Sequence, residues 1–582
     1  MKIFITFWKL LEKKEKIFFL IIIFFSIIQA LLELIGIAAV IPFVTYLLKP
    51  ESISNIEFLS KYVDLKEISL KQNVIFFFCS LLFSIFLIKN VTIIITNKLS
   101  YKFIYSIRTK LYKDILKKIL HQDYLFFVQK GMSKIFNVTF SEVNNYAANI
   151  IRPIINFITE ILITFTIILL IIASGFMNEL ILILPIVIIA ALILKRINKS
   201  IKDWSKSRIF NNENIFNLNF SLVNGIKEIL IYGKIKKILD NFNKSLNSLE
   251  KIDAGNAVVV TIPKVLLEQF IILVFISIIL SMHYLGKSSD SIIITLSFYL
   301  AASYRLVPSI NKIFVSYQQI KFGKPSLPLI NEYYNLENKN IFNDDTNYKN
   351  NEILQNKITF NKEIKLKNVS FSFSNNNRIL DNLDFSINKF NLIGISGESG
   401  SGKSTLINII TRLIKPDSGS LLIDGKKIEG LQDLRNYQNL FNITSQDTFL
   451  LNGSIKENII FGNDAEISLE KIKESVKFAR LDKMIDELPN GINTDIGLTF
   501  KKLSSGQKQR IAIARAYYLD KQIIIFDEAT NALDEENERK IMENLSKLKT
   551  KKTIIIISHN KKNLEMCDEI FELQNKNLKK II

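Results

Sequence analysis

Residues Gly397 to Ser404 read GESGSGKS. Glycines in this pattern let backbone N–H groups turn onto phosphate oxygens. The lysine reaches the β- and γ-phosphates, and the closing serine offers a hydroxyl to Mg²⁺. The run follows a short apolar strand, FNLIGIS, and opens an apolar helix, TLINIITRLI, whose N-terminal dipole end adds positive potential. Gly397, Glu398, Ser399, Gly400, Ser401, Gly402, Lys403, Ser404 and Thr405 are therefore expected to cradle ATP. Downstream, IIIFDEAT sets Asp527 and Glu528 at the end of a second apolar strand. Asp527 suits water-mediated binding of Mg²⁺, and Glu528 suits polarisation of an attacking water. Two solvated acids closing a buried strand are the bland alternative, and the phosphate loop upstream argues against it.

The ordered series of motifs between Phe373 and His559 resembles the ATPase domain of ABC transporters. LSSGQ, Leu503 to Gln507, with KQRIAIARA directly after it, is similar to the family's signature motif. The resemblance implies that Ser504, Ser505, Gly506 and Gln507 close over nucleotide held by another copy. It likewise implies that Gln446 in NITSQDTFL contacts Mg²⁺ and faces the membrane domain. Asp534 in NALD matches the D-loop aspartate, His559 in IIIISHN the switch histidine, and Phe373 in VSFSF the aromatic that stacks on adenine. Glu528, His559, Gln446 and Asp534 form the expected catalytic set, with Ser404, Gln446 and Asp527 around the metal. One ATPase domain per chain implies a dimer, most simply a two-fold homodimer. Ser505 stands where the family's LSGGQ has glycine, Leu498 and Phe500 replace the preceding acid and glycine, and Asn531 and Asn560 replace serine and arginine. None of these changes removes a catalytic group.

The elements that must carry this chemistry fall into two halves. A chain of 582 residues exceeds one core. Apolar runs long enough to cross a membrane occur at 17–48, 73–96, 154–174, 179–194, 257–284 and 291–315. The first lies after Lys13, Lys14 and Lys16 and reads as a membrane helix rather than a removable signal. The expected fold class is an all-α transmembrane domain of six long helices over 1–322, a linker over 323–357, and an α/β ATPase domain over 358–582. Lys and Arg are dense at 97–153 and 195–256 and nearly absent from the loops near 174–179 and 284–290. The positive-inside rule then places both termini and the ATPase domain in the cytoplasm. The formal charge of +20 lies largely between apolar spans, which favours membrane lipid over nucleic acid as the partner. Cys79 and Cys567 imply no disulfide framework.

Each basic segment has helical periodicity and carries a compact amphipathic piece, at His121–Gly131 and at Asn224–Lys234. Such pieces fit either a solvated hairpin or a docking helix for the ATPase domain. Residues Ser54–Val63 could form a short helix on the outer interface.

SYRLVPSINKIFVSYQ in the sixth span and IAAVIPFV in the first resemble the PglK-type flippases of lipid-linked oligosaccharides. That resemblance implies a bacterial inner-membrane protein that moves a polyprenyl-pyrophosphate glycan. Another amphipathic cargo, such as lipid A, a drug or a peptide, is the alternative. Lys89, Lys264 and Arg305 interrupt apolar spans, where each costs about 2.5–3.5 kcal/mol. At ~1.5 Å rise per residue, Lys89 and Arg305 lie roughly 24 and 21 Å below the outer edge, and Lys264 about 10 Å in from the inner one. Three cations at one depth are expected to bind the pyrophosphate. Snorkelling to headgroups and an i,i+4 pair of Lys264 with Glu268 are the competing explanation.

Overall fold

The computed structural model describes residues 2–48, 71–173, 184–286, 288–337, 358–373, 378–428, 430–462, 467–496, 503–530 and 532–582. It divides into two compact units. One is Met1–Leu120 with Lys130–Glu337; the other is His121–Gln129 with Asn338–Ile582.

The first unit is helical. Its long helices are Lys13–Ala38, Lys71–Leu120, Arg152–Ala173, Leu184–Asn224, Ile235–Tyr284 and Ser289–Gly323. Among the described residues, five helices are long and apolar enough to cross a membrane. The fourth expected span, 179–194, is described only from Leu184 onward, and Ser54–Val63 lies outside the described residues. Lys71–Leu120 and Ile235–Tyr284 have 50 residues each. That is about 75 Å of helix, against a hydrocarbon core of about 30 Å.

Two π-helical segments, Asn137–Glu142 and Ala147–Ile151, widen the helix that leads into Arg152–Ala173. Glu142 ends the first of them and is completely buried. Its Oε2 accepts hydrogen bonds from Arg208 Nη2 at 3.1 Å and Ser326 Oγ at 2.5 Å. Arg208 also lies over the Phe322 ring at 5.1 Å, and Ser205 Oγ donates to the Phe322 carbonyl. Three stretches far apart in sequence are thus clasped around one buried carboxylate. Ser326 opens the helix Ser326–Tyr334, with Leu327, Ile330 and Tyr333 buried. The first compact unit runs to Glu337, because an apolar face on this short helix outweighs the Gly-Lys-Pro punctuation before it. The remainder of the expected linker, 338–357, lies outside the described residues.

The second unit has two sheets. Strands β1 (Glu363–Ser372), β2 (Arg378–Asn388), β4 (Ser418–Ile423) and β5 (Lys426–Lys427) form an antiparallel sheet in the order β2-β1-β4-β5. Strands β3 (Leu392–Ser396), β6 (Phe441–Thr444), β7 (Ile523–Asp527), β8 (Thr553–Ile557), β9 (Glu569–Gln574) and β10 (Asn577–Lys580) form the other, in the order β10-β9-β3-β8-β7-β6. All pairs in it are parallel except β10 with β9. Side chains alternate between faces along a strand, and here the alternation splits the core cleanly. Ile523, Ile525, Ile555 and Ile557 pack toward β1 and β2, while Ile524, Phe526, Ile554 and Ile556 pack toward the helix Ser505–Leu519. Burial on both faces explains the uninterrupted isoleucine runs.

His121–Gln129 also counts with this second unit. It contains most of the short helix Tyr124–Lys130, and His121, Gln122 and Phe126 are buried.

Candidate functional site

Four neighbouring parallel strands, β3, β8, β7 and β6, deliver the motif residues to one sheet edge. Ligands of open α/β sheets bind at the carboxyl ends of strands. β3 ends at Ser396 and leads into the glycine loop; β8 leads to His559; β7 ends at Asp527, next to Glu528; β6 leads to Gln446. Motifs spread over about 160 residues of sequence therefore converge because their strands are adjacent.

The loop turns through Gly400 at φ +80° and Gly402 at φ +107°, and a Cβ on Gly402 would come within 2.8 Å of Ile379. Lys403 opens the helix Lys403–Ile410, and its Nζ donates to the carbonyls of Gly397 at 2.8 Å and Glu398 at 2.9 Å. It also lies 3.3 Å from His559 Nε2, which is 2.8 Å from Glu528 Oε1. Burial lowers the Lys403 pKa, opposed by the charges of Glu528 and Asp527. Burial raises that of Asp527, and Glu528 beside it adds to the effect. Glu528 has a left-handed backbone, φ +51°, rare for a side chain of its type.

These residues fit ATP with Mg²⁺. Among the described residues Ser401 Oγ is buried without a partner, the Lys403 ammonium rests on carbonyls a phosphate would displace, and Ser404 is exposed. Ser404 and Asp527 would hold the metal alongside phosphate oxygens, as Mg²⁺ sites commonly do. When bound, the ion neutralises phosphate charge. Glu398, Ser399 and Gln446 are exposed, Thr405 is buried, and Phe373 is half-exposed, edge-on to Phe371 at 5.0 Å.

The signature residues lie elsewhere in the unit. Ser504 caps the helix Ser505–Leu519 reciprocally with Gln507. Ser505 is its first residue, exposed and outside the left-handed region, so the backbone does not require the family's glycine there. Gly506 is different: a Cβ would approach the Ala532 carbonyl oxygen to 2.7 Å. Asp534 caps the helix Glu535–Leu548 through Asn537, and hydrogen bonds from Asn537 lower its pKa. Asn560 similarly caps Lys561–Leu564. Leu498, Phe500 and Asn531 lie outside the described residues.

In the first unit, two of the three expected cations meet. Arg305 Nε lies 2.7 Å from Glu33 Oε1, and Lys89 Nζ is 3.3 Å from Glu33 Oε2. Arg305 Nη2 is 3.4 Å from Glu160 Oε2, whose other oxygen accepts from Lys312 at 2.7 Å. Lys264 does not join them. Its side chain is 63% exposed and pairs at 3.8 Å with Glu268, one turn along. The expected ring of three is thus corrected to Lys89, Arg305 and Lys312. Helical rise gives depth but not azimuth, and Lys264 turns away. Glu33 and Glu160 were the missing signal: acids inside apolar spans are as costly as bases and imply a partner.

The family model for ABC transporters matches residues 380–531. Over 95% of this chain and 93% of the other, the fold superposes on a bacterial Atm1-family ABC exporter with ATP bound, with a TM-score of 0.77 at 19% identity. The chain has the fold of an ABC exporter. Three curated relatives each align with about a third of it. An ATP-dependent lipid A-core flippase of Ralstonia nicotianae is 37% identical over 218 residues, 37% of this chain and 36% of the relative. The α-hemolysin translocation ATP-binding protein HlyB of Escherichia coli O157:H7 is 41% identical over 214 residues, 37% of this chain and 30% of the relative. An uncharacterized ABC transporter ATP-binding protein of Sinorhizobium fredii is 40% identical over 212 residues, 36% of each. The exporter-fold chain thus spans about a third of the length of these relatives.

Proposed function

We propose that this chain is an ATP-hydrolysing exporter, acting as a homodimer in a bacterial inner membrane, that flips a polyprenyl-pyrophosphate-linked oligosaccharide from the inner to the outer leaflet. Hydrolysis rests on the sheet edge that gathers Lys403, Asp527, Glu528 and His559. Dimerisation is supported by the short helix Ile226–Ile231 and its flanks, where Val223, Leu230, Ile231 and Tyr232 are 59–70% exposed. Such an apolar tip on a basic segment fits a partner surface.

The observation that carries the cargo assignment is the basic cluster, buried at Lys89 and Arg305 and open at Lys312. Lys89 and Arg305 sit within apolar helices, with Lys312 two turns beyond Arg305. A guanidinium beside two ammoniums matches a diphosphate, which needs several charge-assisted donors.

Reconstitution into liposomes tests this. ATP-dependent translocation is expected for a polyprenyl-pyrophosphate oligosaccharide and not for a cationic drug. Translocation of lipid A in its place would move the assignment to a second phosphorylated lipid, a reading favoured by the likeness of about a third of the chain to a lipid A-core flippase. Transport of the drug alone would defeat both.

A further inference from the structure

The basic cluster already holds two anions of its own. Glu33 and Glu160 have side chains only 5% exposed, and each bridges two cations. Among the described residues three bases face two acids, which leaves one positive charge in excess. Carboxylate and phosphate oxygens accept from a guanidinium in the same forked geometry, so each glutamate is a chemical stand-in for a phosphate.

The arrangement is incompletely satisfied for a purely structural ion pair. Glu160 Oε2 and Arg305 Nε are buried without an aligned hydrogen bond among the described residues, despite their short charge contacts. Ser309 Oγ is fully buried and has no partner among them. Arg305, Ser309 and Lys312 are spaced i, i+4, i+7, which puts all three on one face of the helix Ser289–Gly323. The Glu142 clasp also leaves Arg208 Nε and Nη1 unpaired among the described residues, but it is wholly enclosed, with side chains 6% and 0% exposed. Along Arg305, Ser309 and Lys312 a donor stripe is only partly used by the carboxylates facing it. Lys312 is 54% exposed, so the stripe is open at that end.

We propose that Glu160 is a built-in competing anion: it occupies Lys312 and Arg305 until an incoming phosphate displaces it, while Glu33 anchors Lys89 and Arg305. The inference rests on the reading of the cluster as a headgroup site. It adds that entry is an exchange of one anion for another, so that site occupancy and release of Glu160 are linked. Affinity is thereby held down, which lets the headgroup leave.

Binding of farnesyl diphosphate to the full chain in phosphatidylcholine nanodiscs tests the idea, with farnesol as the neutral control. A Lys403→Ala background keeps the phosphate loop from taking the probe. Glu160→Gln is expected to lower Kd for farnesyl diphosphate by about tenfold or more, since a charge contact at a few ångströms is removed from the competing state. Farnesol should bind all variants alike. Glu160→Asp retains the charge but shortens its reach to Lys312, and an intermediate tightening is expected. It keeps the test informative if the glutamine variant fails to fold. An unchanged or raised Kd in a folded Glu160→Gln or Glu160→Asp protein overturns the proposal and makes the carboxylates structural. Translocation assays separate this from the cargo reading. A tightened Kd without oligosaccharide translocation sinks the cargo and keeps the competing anion; translocation with an unchanged Kd does the reverse.

Discussion

The Lys403 side chain donates to two carbonyl oxygens, Gly397 O and Glu398 O, and lies near His559. Removing it deletes the phosphate contact, so Lys403→Ala is expected to weaken nucleotide binding, read by equilibrium titration. Glu528→Gln should keep that binding and lose turnover by about 10²–10⁴-fold, the usual contribution of a positioned base. Near-normal hydrolysis by the glutamine variant would reassign the base. The backbone at Glu528 adds a second expectation. A left-handed conformation costs a non-glycine residue roughly 1–2 kcal/mol, and asparagine tolerates it best. Glu528 also lies beside Asp527, whose pKa it helps to raise. Glu528→Asn should therefore melt higher than the parent protein while being inactive, as thermal denaturation would reveal. The nucleotide residues were legible in sequence because each sits in a short run whose neighbours declare its purpose. Glu33 and Glu160 signal a partner by lying inside apolar spans, but the sequence does not name it, because their partners come from other helices.

At the scale of elements, the signature helix shows which departures from a family pattern matter. Ser505→Gly is expected to change the fold little, since the position is exposed and right-handed. Gly506→Ala would force a methyl group against a backbone oxygen at 2.7 Å. Overpacking of this kind costs about 1–3 kcal/mol, and turnover should fall with stability. Comparable loss in the Ser505→Gly variant would mean that contact with Ala532 is not the constraint. The clasp on Glu142 obeys another rule. Arg208→Ala leaves a wholly buried carboxylate unpaired, at a cost of about 3–5 kcal/mol, whereas Arg208→Met with Glu142→Gln should recover most of it. Thermal melts of the single and double variants measure the difference. The sequence offered the helices through their apolar period, but not this clasp. It depends on a π-helical turn and on a helix start after Pro325, neither of which leaves a periodic signature.

For the whole molecule, the alternation of loop charge predicts which segments are reachable from outside. With Cys79 and Cys567 replaced, single cysteines at 54–71 or 284–290 should label on intact cells with an impermeant reagent. One near Asn224 should not, and its labelling would invert the topology. The two-part division itself was legible from composition, since apolar runs stop near Val315. What composition could not tell is that the parts are interleaved. His121–Gln129 arises between two long helices of the first unit yet belongs with the second. No single cut of the chain therefore yields two complete pieces. A fragment starting at Asn338 would lack nine of its own residues, including the buried His121, Gln122 and Phe126. Such a fragment should be less soluble than its charge suggests, and a peptide covering His121–Gln129 should raise its melting temperature. Gene fusions, splits and domain exchanges in this protein would have to carry that short helical segment along with the ATPase half.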